Sequence, residues 1–172
     1  MDALSHLDAM PEGEARAAFL RCCGSQRWAA AMTAGRPYHD PPALFAAADA
    51  QWKALGREDW LEAFGHHPRI GDRDALRSRF VATRAWVASE QAGANAAEAT
   101  LLDALAEGNR RYEARFGYIF IVCATGQSAE AMLAGLEARL GNGPDQELPI
   151  AAAEQAKITR LRLEKLLAEV IA

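Results

Sequence analysis

Only one run in this chain has the residue types of a β-strand. Tyr118-Ile119-Phe120-Ile121-Val122-Cys123-Ala124 is rich in aromatic and branched side chains. A lone strand has no partner for its hydrogen bonds, and around it apolar residues recur at spacings of three and four. The expected fold is therefore all-α: a single compact multi-helix domain over residues 1–172, with one buried extended segment running between helices. The N–H and C=O groups of that segment need partners, and a polar ligand is one source of them.

Start and stop signals divide the rest. A helix over Glu14–Cys23 places Ala15, Ala18, Phe19 and Cys22 on one stripe and stops at Gly24. Ser25 caps a second, which ends at Ala34 before Gly35 and Pro37. Asp40-Pro41-Pro42 reads as an N-cap followed by prolines in the first turn, opening a helix to about Leu55. Its buried face is Leu44, Phe45, Ala48, Trp52 and Leu55, and Gly56 closes it. A short amphipathic run, Asp59–Phe64, follows. Two helical pieces are expected over Asp74–Phe80 and Thr83–Ala92, then a break at Gly93 and Asn95. The longest helix then runs from Ala96 to Phe116, with Leu102, Leu105, Asn109 and Tyr112 on one face and Gly117 as its stop. Ser128 caps a helix to Leu140, and Gly141–Pro144 is a turn with the composition of a mobile loop. A last helix spans about Pro149–Val170, with Ile158, Leu161, Leu163, Leu166, Leu167 and Val170 as its apolar stripe.

Composition narrows the function classes. With 51% hydrophobic and 24% charged residues the chain is globular rather than disordered. A net charge of -4 leaves no basic footprint for nucleic acid. No apolar run approaches the ~18 residues of a membrane span. The stretch Met1–Asp8 lacks the basic and apolar regions of a secretory signal, and Glu169–Ala172 is not a peroxisomal address. A cytoplasmic location is expected. Cys22, Cys23 and Cys123 cannot all pair within one chain, and free thiols in a reducing compartment account for them.

The segment richest in chemistry is Gly65-His66-His67-Pro68-Arg69-Ile70-Gly71-Asp72. Pro68 disfavours helical geometry at His67, and glycines on either side permit a sharp loop. An imidazole held extended between two helices is well placed to face a pocket, and it titrates near neutrality. The same residues equally suit an ordinary polar loop. They are poor metal ligands, because adjacent loop side chains diverge and no further ligand motif is present. Trp52 and Trp60 are expected to wedge this loop in place.

His67-Pro68-Arg69-Ile70-Gly71 resembles the His-Pro-x-Ile-Gly signature of the OHCU decarboxylases. These enzymes act on 2-oxo-4-hydroxy-4-carboxy-5-ureidoimidazoline, a late intermediate of urate breakdown. Other blocks follow in the family's order. Cys23-Gly24-Ser25 with Trp28 and Met32 looks like its early Cys-x-Ser-x-x-Trp-x-x-x-Met pattern. Ala48-Asp49 with Trp52 is similar to its middle helix, and Glu90-Gln91-Ala92-Gly93 to its Glu-Gln motif. Asn109, Tyr112 and Phe116-Gly117 lead into the extended segment as in the family, and Ile158–Leu163 looks like its terminal helix. Val87 departs from the pattern, standing where many members have a serine three residues before the Glu.

The resemblance implies decarboxylation to (S)-allantoin without cofactor or metal, by a homodimer whose partner is a small ureidoimidazoline. It implies that His67 is the catalytic acid, with Glu90 fixing its tautomer or binding the ureido group. Pro68 would line the pocket and Gln91 would bind the polar rim. Backbone groups of Phe120, Ile121, Val122, Cys123 and Ala124 would hold the ring, and Arg162 would meet the substrate's anionic charge. Apart from the resemblance, Glu90 also suits a solvated helix acid and Gln91 a surface amide. The competing functions are a non-catalytic helical interaction module and a His-dependent hydrolase of a related ureide. The second would need an activated water or nucleophile, and no Gly-x-Ser-x-Gly or metal motif is present.

Overall fold

A computed structural model describes residues 3–67 and 91–169, with side chains from residue 97 in the second stretch. Among the described residues there are helices and no strand. They are α1 (Ala3–Ala9), α2 (Glu12–Cys23), α3 (Gln26–Ala34), α4 (Pro41–Ala54), α5 (Arg57–Gly65), α6 (Gln91–Phe116), α7 (Ala129–Leu140) and α8 (Pro144–Glu169). The chain forms two compact units, one of residues 1–67 with 148–172 and one of residues 68–147.

In the first unit α2, α3, α4 and α5 pack on one another through α3. Local chemistry sets their limits. Glu12 and Glu14 sit in the first turn of α2, where the helix dipole favours carboxylates. Gly24 ends it in the left-handed conformation, φ 83°. The Ser25 side chain accepts from the Trp28 N–H to start α3, and Asp40 accepts from the Ala43 N–H to start α4. Glu62 and Asp59 on α5 reach the start of α3, where Glu62 accepts from the Gln26 N–H and Asp59 from Arg27. The core is Leu7, Phe19, Trp28, Met32, Leu44 and Phe64, together with Leu163 from α8. Phe19 and Trp28 meet edge to face at 6.0 Å.

Tryptophan N–H groups stitch these helices together. Trp28 donates to the Ala48 carbonyl at 3.0 Å, Trp52 to Ala152 at 2.9 Å and Trp60 to Trp52 at 3.1 Å. The Trp52–Trp60 pair thus ties α4 to α5 and to α8 just before the His loop.

In the second unit α6 packs on α7, with Leu136 pressed against Gly108. Gly117, at φ +81°, turns the chain out of α6 into residues 118–124, which run without regular structure. Tyr112 gathers Phe116, Tyr118 and Phe120 around it, with centroids 4.6, 5.9 and 5.1 Å away.

A buried ion pair holds that segment. Glu147 is fully buried and accepts from Arg139 Nε at 2.7 Å, from the Tyr112 hydroxyl at 2.5 Å and from Asn142 Nδ2 at 2.8 Å. The Arg139 guanidinium lies 4.5 Å from the Phe120 ring centroid and donates through Nη1 to the Ile121 carbonyl at 2.7 Å. Gln127 serves the end of the segment, donating to the carbonyls of Cys123 and Ala124. The expected need for backbone partners is therefore met in part from within the protein.

Several boundaries differ from the sequence reading. Helix α1 leaves little trace in the sequence, since it is seven residues long and its pattern is little more than Leu4 and Leu7. Arg36 caps it from a distance, donating to the carbonyls of Leu7, Asp8 and Met10. No break occurs at Gly93 or Asn95, because α6 already starts at Gln91. One glycine costs a helix only about 1 kcal/mol against alanine, too little to interrupt it. The last helix begins at Pro144, so that Pro149 lies inside it. The Gly141–Pro144 turn is tied from both sides, since Arg115 donates to the Asn142 carbonyl and Asn142 donates to Glu147. The expected helical pieces between Asp74 and Glu90 lie outside the described residues.

Candidate active site

The turn between α2 and α3 organises the candidate site. Cys22, Cys23, Gly24 and Ser25 follow one another there, and each is buried or in close contact. Gly24 lies against the His66 side chain; a Cβ on it would stand 2.8 Å from His66 Cβ. His66 and His67 close α5 through N–H bonds to the Ala63 and Phe64 carbonyls, which leaves His67 at the start of its loop.

His67 is half-buried, and its Nε2 is hydrogen-bonded to Gln155 Oε1. Gln155 is fully buried and donates through Nε2 to Thr159 Oγ1 at 3.1 Å. Thr159 is itself buried and hydrogen-bonded to the Cys23 side chain. A continuous polar chain therefore runs from the imidazole through α8 to the end of α2. Burial in apolar surroundings pushes the Cys23 thiol up to about 12 and that of Cys22 up to about 11, so neither is a thiolate at neutral pH.

Gln155 and Thr159 lie on the buried stripe of α8 with Ala151 and Leu163, all four residues apart. This corrects the expected stripe: Leu161 is exposed, and the inward positions there are Thr159 and Leu163. A buried glutamine and threonine were not predicted. The signal for them was present as polar residues at an apolar period, but a register built on Leu161 hides it.

Arg162 is half-buried on α8 and donates through Nη1 to the Cys22 carbonyl at 3.4 Å. It thus places a cation at the C-terminal end of α2, where orphan carbonyls favour one. It lies seven residues beyond Gln155, roughly 10 Å along the helix and near the same face. His67 and Arg162 are thereby anchored to adjacent residues of one turn, one through Cys23 and the other through Cys22.

The remaining predicted residues are placed as follows. Phe120–Ala124 belong to the second unit, where Phe120 and Ile121 are buried and Val122, Cys123 and Ala124 half-buried. Gln91 opens α6. Pro68, Val87 and Glu90 lie outside the described residues. Among the described residues no group of three or more His, Cys, Asp or Glu could hold a metal ion, and no helix is long and apolar enough to cross a membrane.

Residues 8–164 match the model of the OHCU decarboxylase family. The chain belongs to that family. It is 38% identical over 148 residues to the uric acid degradation bifunctional protein TTL of Arabidopsis thaliana, covering 86% of this chain and 46% of that protein. It therefore spans less than half of that relative. With the 2-oxo-4-hydroxy-4-carboxy-5-ureidoimidazoline decarboxylase of Amia calva it shares 33% identity over 147 residues, covering 81% of this chain and 79% of that one. A crystal structure of OHCU decarboxylase in the presence of (S)-allantoin superposes with a TM-score of 0.71 at 38% identity, covering 87% of this chain and 96% of that chain.

Proposed function

We propose that this protein decarboxylates 2-oxo-4-hydroxy-4-carboxy-5-ureidoimidazoline to (S)-allantoin in urate breakdown, without a cofactor. The observation that carries the reading is the family match over residues 8–164, which contains His67. The superposition on an OHCU decarboxylase crystallised with (S)-allantoin supports it.

The substrate's own chemistry supplies the electron sink. The carboxyl-bearing carbon adjoins a ring carbon in a C=N group. As the bond to CO2 breaks, its electron pair forms a carbon–carbon double bond, and the C=N pair moves onto nitrogen, which takes a proton. A second proton then adds to the ureido-bearing carbon from one face, while the neighbouring hydroxyl loses its own to become the carbonyl. The protein's tasks are to hold the carboxylate in line, to bind the developing charge and to deliver a proton on one face only. His67 is the general acid for that delivery, a role worth roughly 10²–10⁴-fold. Arg162 meets the substrate's anionic charge. Pro68 lines the pocket, Glu90 and Gln91 bind the ureido side, and backbone groups of Phe120–Ala124 hold the ring. The working form is a cytoplasmic homodimer.

The test is circular dichroism of product formation from substrate generated freshly from urate. Rapid, enantioselective appearance of (S)-allantoin supports the reading. Formation no faster than the protein-free control, from a folded sample, returns the choice to a binding module or a ureide hydrolase.

A further inference from the structure

We infer that Gln155 is a positioning residue for His67, fixing which ring nitrogen carries the proton. The inference rests on the proposed role of His67 as proton donor.

At the far end of the polar chain the Thr159 oxygen accepts the Nε2 hydrogen of Gln155 at 3.1 Å. That contact orients the amide, whose nitrogen is fully buried and would cost on the order of 1–3 kcal/mol if left unsatisfied. With its nitrogen committed to Thr159, Gln155 presents its oxygen to the ring. An amide oxygen only accepts, so Nε2 of His67 must be the N–H. Nδ1 is then the basic nitrogen of the neutral ring.

The arrangement resembles the buried carboxylate that orients a catalytic histidine, but with a neutral acceptor. It fixes ring orientation and tautomer without adding a negative charge beside a site that must bind an anion.

Nitrogen-15 NMR of the imidazole rings at a pH where they are neutral reads the tautomer directly, without turnover. The four histidines are separable because His67→Asn removes one set of signals. The expected spectrum has His67 as the Nε2–H tautomer. In Gln155→Leu that preference is lost, and kcat falls about tenfold or more, within what a positioned acid contributes, while KM changes little. Gln155→Glu keeps an acceptor at the same reach, so it retains the Nε2–H form and recovers activity over Gln155→Leu. Thr159→Val releases the amide to turn over, moving His67 toward the Nδ1–H form even if Gln155→Leu does not fold. A wild-type His67 in the Nδ1–H form, or an unchanged tautomer in both Gln155→Leu and Thr159→Val, overturns the inference. If the wild-type protein shows the expected tautomer but no turnover, the decarboxylase reading fails and the positioning contact stands.

Discussion

Gly24 lies so close to His66 that a Cβ on it would stand 2.8 Å from His66 Cβ and 2.9 Å from His66 Cγ. Its φ of +83° is also one that side chains other than glycine's resist. Gly24→Ala must therefore strain the turn and displace the residue before His67. A stability loss of about 1–3 kcal/mol by urea unfolding is expected, with a fall in kcat beyond the loss of folded protein. Wild-type turnover in Gly24→Ala would show that His67 tolerates movement of its neighbour.

His67→Asn keeps a polar side chain at the loop and removes the titrating group. Its helical circular dichroism should match wild type, and rapid enantioselective allantoin formation should disappear. The acid's expected share of the rate is roughly 10²–10⁴-fold. An active variant would remove His67 from the mechanism.

Arg162→Ala separates the observed contact of this residue from its proposed one. Loss of its bond to the Cys22 carbonyl should lower stability by about 1 kcal/mol or less, since that bond is long and half-exposed. Under the proposed contact with the substrate's anionic charge, the same change should raise KM about tenfold or more. Unchanged KM and kcat would leave Arg162 only as a cap on α2.

Arg139→Met leaves the carboxylate of Glu147, which is fully buried, without its cation. Breaking such a pair from one side costs about 3–5 kcal/mol. The double variant Arg139→Met/Glu147→Leu should be less destabilised than Arg139→Met alone, because no unpaired charge remains. Equal losses in chemical denaturation would mean that the Glu147 charge is satisfied by Tyr112 and Asn142.

Cys22 and Cys23 set an alkaline limit. Their folded values of about 11 and about 12 stand above the ordinary 9.0, so the folded state holds these protons more tightly than the unfolded state. The associated stability is fully present below pH 9.0 and is lost as pH rises toward 11 and 12. Unfolding free energy should decline above that point by up to about 1.4 kcal/mol per pH unit for each thiol. Replacing both by alanine should flatten the slope, and native Cys23 should resist thiol reagents at pH 8.

Most of the helical framework is legible in the sequence because its boundaries are chemical. Gly24, Ser25, Asp40, Gly117 and Ser128 each act within a turn of their own position, so local rules find them. The all-α class follows from apolar residues recurring at helical spacing, with only one strand-like run among them. The candidate site is less legible because its anchors are distant. Gln155 meets His67 across 88 positions, and Arg162 meets Cys22 across 140. No period or cap reports such pairs. Arg139 and Glu147 look like ordinary surface charges on helices until the fold buries them. His67 itself was found through its loop and the family motif; its hydrogen-bond partner required the structure.

The α2–α3 turn has a consequence for how this protein can change. The Cys22 carbonyl holds Arg162 while its side chain is buried, Cys23 answers to Thr159, Gly24 to His66 and Ser25 to the first turn of α3. Four consecutive positions thus obey four unrelated constraints, three of them set by residues far along the chain. A library randomised over this tetrapeptide should yield almost no active clones unless its distant partners vary too. Drift at this turn has to be concerted with drift in α8 and the His loop, and that makes it a poor place to graft, splice or permute the chain.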